Sequence, residues 1–412
     1  MTTATIPHHP MPDRTLLDKK VQINYKRNQQ QDHTEKLNQA AREFRYEDCC
    51  DRYWQSEKFS LFYGTPLWNE ATEDQRRSLN HLYWVAYYSQ IISAEIATIF
   101  FNQTSAAGLY AHEGFRTICN MLDLESSQER SHIHAFQTIA RQVEDNLFDA
   151  PLFTYPMRGP FTETMLFANT NKLKQWWKRL QLQAFGLISS SNTFLACQYF
   201  TVRGLRTLNG KLVQHQLSQF CASDIELAPI PSQISHYHFM DESFHFSSST
   251  LISQDVINHL PAPTAFEQQV ANLGIRGCQK DHASFSAVIN GIFWHEPGLY
   301  ETVYRLMRSP LFALSDRDAK DMMHRCFTQE SEGLHQSYQT HREAMTAYQA
   351  YLEPLDYVWL SNRKMDLMKK ASVEKYLAMQ RRSLPQFFRQ NLPFKAKSVF
   401  KTKSATQQGA LS

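Results

Sequence analysis

The sequence predicts an all-α protein, a helical bundle with additional helices toward its C-terminus. Apolar residues recur at helical spacing through nine segments, and Gly and Pro cluster between them, as at 157–160 and 260–263. No sustained alternation of apolar and polar residues indicates strands. With 42% hydrophobic and 13% aromatic residues, a chain of 412 residues also has enough apolar material for a large buried core.

These elements divide the chain into three parts. Residues 1–35 are polar and rich in Gln, Lys and Asn, which predicts a flexible N-terminal arm. Residues 36–383 form the predicted helical domain, and residues 384–412 are basic and lack helical periodicity, which predicts a tail. Within the domain, helical segments are expected near 37–60, 72–104, 125–147, 170–209, 231–250, 264–293, 297–308, 316–350 and 363–382.

Charge and hydropathy argue against two classes of protein. The formal net charge of +3 is too small to indicate nucleic acid as the main partner. The most apolar stretch, 82–101, approaches membrane-spanning length but contains Gln90 and Glu95. Because a carboxylate at the centre of a span is costly, we expect a buried helix there and no membrane span.

Cysteine usage predicts a reducing, cytoplasmic environment. The chain has seven cysteines, an odd number, and no two of them stand at CxxC spacing. Neither a disulfide framework nor a thiolate zinc site is therefore indicated. The first 14 residues also lack the apolar run of a secretory signal.

The clearest chemical signal is a stripe of potential metal ligands in 236–245. His238, Glu242 and His245 stand at positions i, i+4 and i+7, so a helix places all three on one face. Asp241 points to a different face, from which a carboxylate can accept a hydrogen bond from a ligand histidine on a neighbouring helix. The alternative is a set of surface or core histidines without a ligand role.

A second motif, Glu129-x-x-His132, follows Glu95 by 34 residues. Glu95 lies in a very apolar helix, where an ionised carboxylate is costly unless it is paired or bound to metal. The separation suits two antiparallel helices of a bundle, although a salt bridge or a protonated Glu95 remains an open alternative. A third pair with this spacing, Glu332 and His335, lies in a charged segment and is expected to face solvent.

Together these residues resemble the AurF-like family of dimetal-carboxylate oxygenases, which are ferritin-like bundles that include arylamine N-oxygenases. The family pattern is a lone Glu, then Glu-x-x-His, then another Glu, then His-x-x-x-Glu-x-x-His, and the resemblance covers roughly residues 70–350. It implies a ferritin-like dimetal domain holding two iron ions, or iron and manganese, since His and carboxylate ligands suit these metals better than zinc. The implied metal ligands are Glu95, Glu129, His132, His238, Glu242 and His245.

The third element of that pattern is absent. The helix that should carry its Glu spans 192–207 and contains no acid. Cys197, Gln198 or Gly204 is a candidate for the substituted ligand or open position. The omission indicates either a degenerate or single-metal site, or a metal that keeps a coordination position open for an exogenous anion. Under the second interpretation the chain resembles the cyanobacterial CylC-type halogenases, which are associated with chlorinating unactivated carbons of carrier-bound fatty acyl chains.

Three functional hypotheses follow. The first is an O2-dependent halogenase that uses a halide such as chloride on an aliphatic acyl substrate. The second is AurF-like amine N-oxygenation, with aliphatic hydroxylation or desaturation as close variants. The third is an iron-binding bundle without activity. Halide dependence of the product separates the first two, and metal that does not react with oxygen indicates the third.

Partners are inferred from charge and from motifs that the sequence lacks. An acidic acyl carrier protein would suit the basic C-terminal region, although such a run is usually just a solvated face. No flavin, NAD or iron–sulfur motif is visible, so electrons are expected from an external reductase, and a homodimer is compatible with the resemblance. The basic residues concerned are Arg363, Lys364, Lys369, Lys370, Arg381, Arg382, Arg389, Lys395, Lys397, Lys401 and Lys403.

Overall fold

Regular secondary structure in the described part of the chain is entirely helical. The structure is a computed structural model, and it describes residues 14–148, 151–153, 172–283, 290–291 and 297–390. Across these ranges there is no strand. The predicted fold class, an all-α bundle with additional C-terminal helices, is confirmed.

Two helices precede the bundle proper. Helix α1 spans Arg14–Gln30 and α2 spans Thr34–Glu43, and both pack against the same two later helices. The expectation of a flexible arm over 1–35 is therefore wrong from Arg14 onward. The helix was hard to foresee because its sequence is mostly polar, and few of its positions, Val21 and Asn28 among them, are buried.

The longest helices form two antiparallel pairs. Helix α4 (Glu73–Tyr110) follows the short α3 (Pro66–Glu70), begins with a capping box between Thr72 and Gln75, and packs along α5 (Arg116–Leu147). After α6 (Lys172–Ser189) come α7 (Thr193–Ser218) and α8 (Ile230–Thr250), which form the second pair. Contacts of α4 with α7 and of α5 with α8 close a four-helix core.

The remaining helices surround this core. A π-helical segment (Leu251–Val256) extends α8, and α9 (Ala265–Asp281) packs on α7. The C-terminal helices are α10 (Tyr300–Arg308), α11 (Asp316–Thr328), α12 (Glu332–Leu352), α13 (Leu360–Arg363) and α14 (Val373–Gln390).

Several predicted boundaries differ from the structure. The segments near 170–209 and 316–350 are each two helices, because Asn192 and Ser331 cap new helices within them. The tail expected from residue 384 is wrong for its first seven residues, since α14 runs to Gln390 and Leu384 is fully buried. Lys395, Lys397, Lys401 and Lys403 lie outside the described residues.

Two further expectations concern membranes and disulfides. Helices long and apolar enough to cross a membrane are absent from the ranges that the structure describes. The seven cysteines are thiols in the structure and not disulfides, in agreement with the sequence analysis.

Candidate metal centre

Three of the four core helices bring the six sequence-predicted ligands into one cluster. These residues are Glu95 from α4, Glu129 and His132 from α5, and His238, Glu242 and His245 from α8. Their ligand atoms form two groups, in each of which every atom lies within 4.8 Å of the others: Glu95, His132, His238 and Glu242 in the first group, and Glu129, Glu242 and His245 in the second.

The glutamates bridge between histidines of different helices. Oε1 of Glu95 lies 3.1 Å from Nε2 of His238 and 3.6 Å from Nδ1 of His132. Glu129 lies 3.2 Å from Nδ1 of His132 through Oε2 and 3.4 Å from Nδ1 of His245 through Oε1. Nδ1 of His245 is also 2.9 Å from Oε1 of Glu242. Helical spacing therefore points these side chains inward, as the sequence motifs predicted.

The cluster is buried, and one residue is more open than the rest. The side chain of Glu242 is 13% exposed, whereas the other five are at most 5% exposed. Glu242 also belongs to both groups. The accessible side of the cluster is therefore the side on which Glu242 lies.

Burial and mutual charge set the protonation of the metal-free cluster. Burial, reinforced by the charge of Glu129, raises the pKa of Glu95 well above its usual range. Burial also opposes ionisation of Glu129, but the charges of His245 and His132 outweigh it and hold its pKa at about 2. His132 and His245 have pKa values well above the usual imidazole value, because contacts with carboxylates overcome their burial. Protons thus balance the carboxylates in the space between them.

His238 differs from the other two histidines. Burial and the charge of His132 lower its pKa to about 3, so it is neutral. Its ring lies 5.7 Å from the ring of Tyr88 and 5.0 Å from that of Phe136. Nδ1 of His238 and Oε2 of Glu95 are buried without a hydrogen-bond partner among the described residues. Nε2 of His238, and not Nδ1, is the ring nitrogen beside Glu95 and Glu242, so the unpartnered atom that fits a metal ligand is Oε2 of Glu95.

A second layer supports the other two histidines. Oδ2 of Asp241 lies 3.2 Å from Nε2 of His132, and Oδ1 accepts the backbone N–H of His33 at 3.2 Å. Gln128, immediately before Glu129, has Oε1 3.0 Å from Nε2 of His245. Each outer nitrogen is therefore held by a polar side chain on the other helix, which leaves Nδ1 facing the cluster.

Helix α7 does not bring its three candidate residues to the cluster. Gln198 donates through Nε2 to the carbonyl of Ala271 on α9, at 3.2 Å. A Cβ atom on Gly204 would overlap Oη of Tyr351 on α12. Cys197 lies one turn before Thr201, whose hydroxyl contacts Tyr357, and belongs to neither ligand group of the described residues. The contacts of the described residues place none of the three at a metal position, and the sequence-based assignment of one of them to the substituted ligand or open position stays a prediction.

The α7 residue that reaches the cluster is Arg203. Its guanidinium donates to the carbonyl of His245 at 2.7 Å, to Ser249 at 2.8 Å and to Asn102 at 2.9 Å, and it pairs with Glu125 at 2.8 Å. Sequence analysis missed this buried pair. A signal was present, because Glu125 stands four residues before Glu129, and Arg203 is a cation within an apolar helix.

Glu332 and His335, the third pair with ligand spacing, are exposed and belong to neither ligand group. Nε2 of His335 lies 3.1 Å from Oε2 of Glu330 at the surface. The sequence-based expectation that this pair faces solvent therefore agrees with the structure.

Comparison with known proteins identifies the family. The family described as "Acyl halogenase CylC-like" matches residues 17–388, which include all six cluster residues and most of α1. No curated protein and no solved structure matches the chain significantly. The matched region covers well over half of the sequence. The chain therefore belongs to the CylC-like acyl halogenase family, and this membership implies a halogenating enzyme.

Proposed function

We propose that this protein binds two iron ions at the six-residue cluster and uses O2 and a halide to halogenate an unactivated carbon of an aliphatic acyl substrate. One observation carries the proposal: two buried groups of His and Glu ligand atoms share Glu242 in a member of an acyl halogenase family. The donor set is nitrogen and oxygen without thiolate, which suits iron or manganese. Redox-active metal bound here would supply the activation of O2.

The residues of the chain would hold and orient the metals and keep water out. Asp241 and Gln128 fix the outer nitrogens of His132 and His245, so that each Nδ1 is presented inward. The rings of Tyr88 and Phe136 cover His238 on one side. Low exposure of the cluster strengthens electrostatic interactions inside it.

Charge balance supports a halide as the missing ligand. The sequence of α7 contains no Asp or Glu, so the cluster has the three carboxylates of Glu95, Glu129 and Glu242. Against two divalent cations, three ligand carboxylates leave one positive charge within the direct ligand set, which the carboxylate of Asp241 beside His132 offsets only from one layer further out. Arg203 is occupied by four partners and Glu125 by Arg203, so neither is available to the metals. A halide anion would restore the balance.

An acidic acyl carrier protein is the proposed source of the substrate. Lys364, Lys369, Lys370, Arg381 and Arg382 are exposed, which charge steering toward such a carrier requires. Neutralising them should slow turnover of the carrier-bound acyl chain at low ionic strength and leave turnover of a short free thioester unchanged. Equal turnover of the carrier-bound chain by wild type and variant would contradict docking here. An external reductase and a homodimeric state are further parts of this proposal.

The first experiment measures metal content after anaerobic loading with Fe(II). We expect about two irons per wild-type chain and loss of iron in the variant E242A/H245A. One iron in the wild type would indicate a single-metal site, and none would contradict the proposed enzyme. Manganese added with iron, followed by metal analysis, distinguishes an iron pair from a mixed pair.

The second experiment tests the reaction by product analysis with reductant, O2 and an acyl thioester. Halogenation predicts product only when chloride or bromide is present. Oxygenated product formed without halide would instead support hydroxylation or, on an amine substrate, N-oxygenation. Desaturated product would identify the remaining variant.

A further inference from the structure

Two polar residues near the end of α1 contact the layer that orients the ligand histidines. Asn28 bonds to Gln128, and His33 bonds to Asp241. We propose that Asn28 and His33 are positioning residues of the metal centre, acting through Gln128 on His245 and through Asp241 on His132. This inference rests on the proposed dimetal function.

The contact between Asn28 and Gln128 is a reciprocal amide pair. Nε2 of Gln128 donates to Oδ1 of Asn28 at 2.8 Å, and Nδ2 of Asn28 donates to Oε1 of Gln128 at 3.3 Å. Asn28 is 0% and Gln128 1% exposed, so water cannot replace either bond easily. The pair fixes the amide plane and keeps Oε1 directed at Nε2 of His245. An oxygen there requires His245 to carry hydrogen on Nε2, which leaves Nδ1 for a metal.

His33 orients the second support in a different way. Its backbone N–H and its ring Nδ1 both contact Oδ1 of Asp241, at 3.2 and 3.1 Å. The other oxygen, Oδ2, is thereby left for Nε2 of His132 at 3.2 Å. The His33 ring also stacks on Tyr237 of α8, with 5.8 Å between ring centroids. The Asp241 carboxylate is thus divided between one positioning residue and one ligand histidine.

Asn24, one turn before Asn28, offers a matched control. Its Nδ2 donates to Oγ of Ser248 at 2.9 Å and contacts Sδ of Met121 at 3.4 Å. It therefore docks α1 onto the same two helices, α5 and α8, but has no bond to a residue that supports a ligand histidine. Loss of docking alone should affect Asn24→Ala and Asn28→Ala alike.

The test compares N28A, H33A and N24A in the full-length protein. Stepwise Fe(II) affinities are measured anaerobically, and Mössbauer spectra are recorded with 57Fe. We expect N28A to weaken one of the two irons, and H33A the other, by about 10- to 100-fold with a changed quadrupole doublet. N24A should bind both irons as the wild type does. H33A keeps the backbone N–H bond to Asp241 and loses only the ring contact, so H33N, which places an amide donor where ring Nδ1 stood, should recover part of the affinity.

Three results would overturn the inference. Wild-type affinities and spectra in both N28A and H33A would show that these residues do not act on the metals. Equal iron loss in all three alanine variants, with equally lowered melting temperatures, would show a docking role only. Failure of the wild type to bind two irons would overturn the proposed function itself, which the first two results would leave intact.

Discussion

The two helices that supply Glu-x-x-His motifs are built alike but supported differently. On α5, Gln128 precedes Glu129 and His132, and on α8, Asp241 precedes Glu242 and His245. In each case the residue before the glutamate contacts Nε2 of the histidine on the opposite helix. The exchange is approximately two-fold symmetric, and each helix supplies the support for the histidine of the other.

The two supporting residues differ in charge, so the symmetry is not complete. His132 faces the carboxylate of Asp241, whose pKa is held below the usual range because hydrogen bonds from His132 and His33 outweigh its burial. His245 faces the neutral amide of Gln128. A carboxylate partner increases the basicity of an imidazole more than an amide does. We therefore expect two unequal metal positions, and the experiments below test that difference.

The largest difference in iron content should appear between variants of Glu242 and Glu129, the glutamates of the two Glu-x-x-His motifs. Glu242 belongs to both ligand groups, whereas Glu129 belongs to one. E242A should therefore lose most of the iron at both positions, and E129A should retain about one iron per chain. Metal analysis after anaerobic loading measures this, with the exposed pair variant E332A/H335A as the control that should keep wild-type content. Equal loss in E129A and E242A would contradict the asymmetric assignment.

The next largest effect is the dependence of iron affinity on pH. His132, His245 and Glu95 have raised pKa values in the metal-free cluster, so a metal competes with protons for these groups. Affinity should therefore rise with pH, by about 10-fold per pH unit for each proton that binding releases. Isothermal titration in buffers of different ionisation enthalpy counts the protons. A value near zero would contradict the protonation described here.

A smaller effect concerns the buried ion pair between Arg203 on α7 and Glu125 on α5. Replacing Arg203 by Met leaves Glu125 buried without its ion-pair partner, which should lower the free energy of unfolding by about 3–5 kcal/mol. R325M is the control, because Arg325 pairs with Glu70 at the surface and should cost less than about 1 kcal/mol. Urea unfolding of the metal-free protein measures both. The double variant R203M/E125M should be more stable than R203M, and no recovery would mean that the other bonds of Arg203 dominate.

Whether the sequence predicted a feature of the site depends on how far apart along the chain the contacting residues lie. The stripe of His238, Glu242 and His245 was visible because helical periodicity alone places them together. Glu95 was visible because a carboxylate in an apolar helix needs a partner. Both signals are local. They predict four of the six residues of the cluster from helix periodicity and burial alone.

Long-range contacts were not visible in the same way. The bond between Asn28 and Gln128 joins residues 100 apart, and neither residue type is distinctive in a polar segment. The sequence also did not specify which face of α7 meets the cluster: packing against α12 turns Gly204 toward Tyr351, and Arg203 contacts the carbonyl of His245. Such orientations follow from how helices pack, which a single sequence with no acid on α7 does not specify.

The smallest expected effects come from exchanging the charges of the two residues that support the ligand histidines, Asp241 and Gln128. D241N removes the charge beside His132 and should weaken one iron by about 10- to 100-fold, or about 1.4–2.7 kcal/mol. Q128E adds a charge beside His245, where Asn28 can still donate to it, and should strengthen the other iron by less. Stepwise affinities and Mössbauer spectra measure both changes. If charge on the support sets the difference, the two quadrupole doublets should converge in Q128E, and unchanged doublets in both variants would place the asymmetry in the ligands themselves.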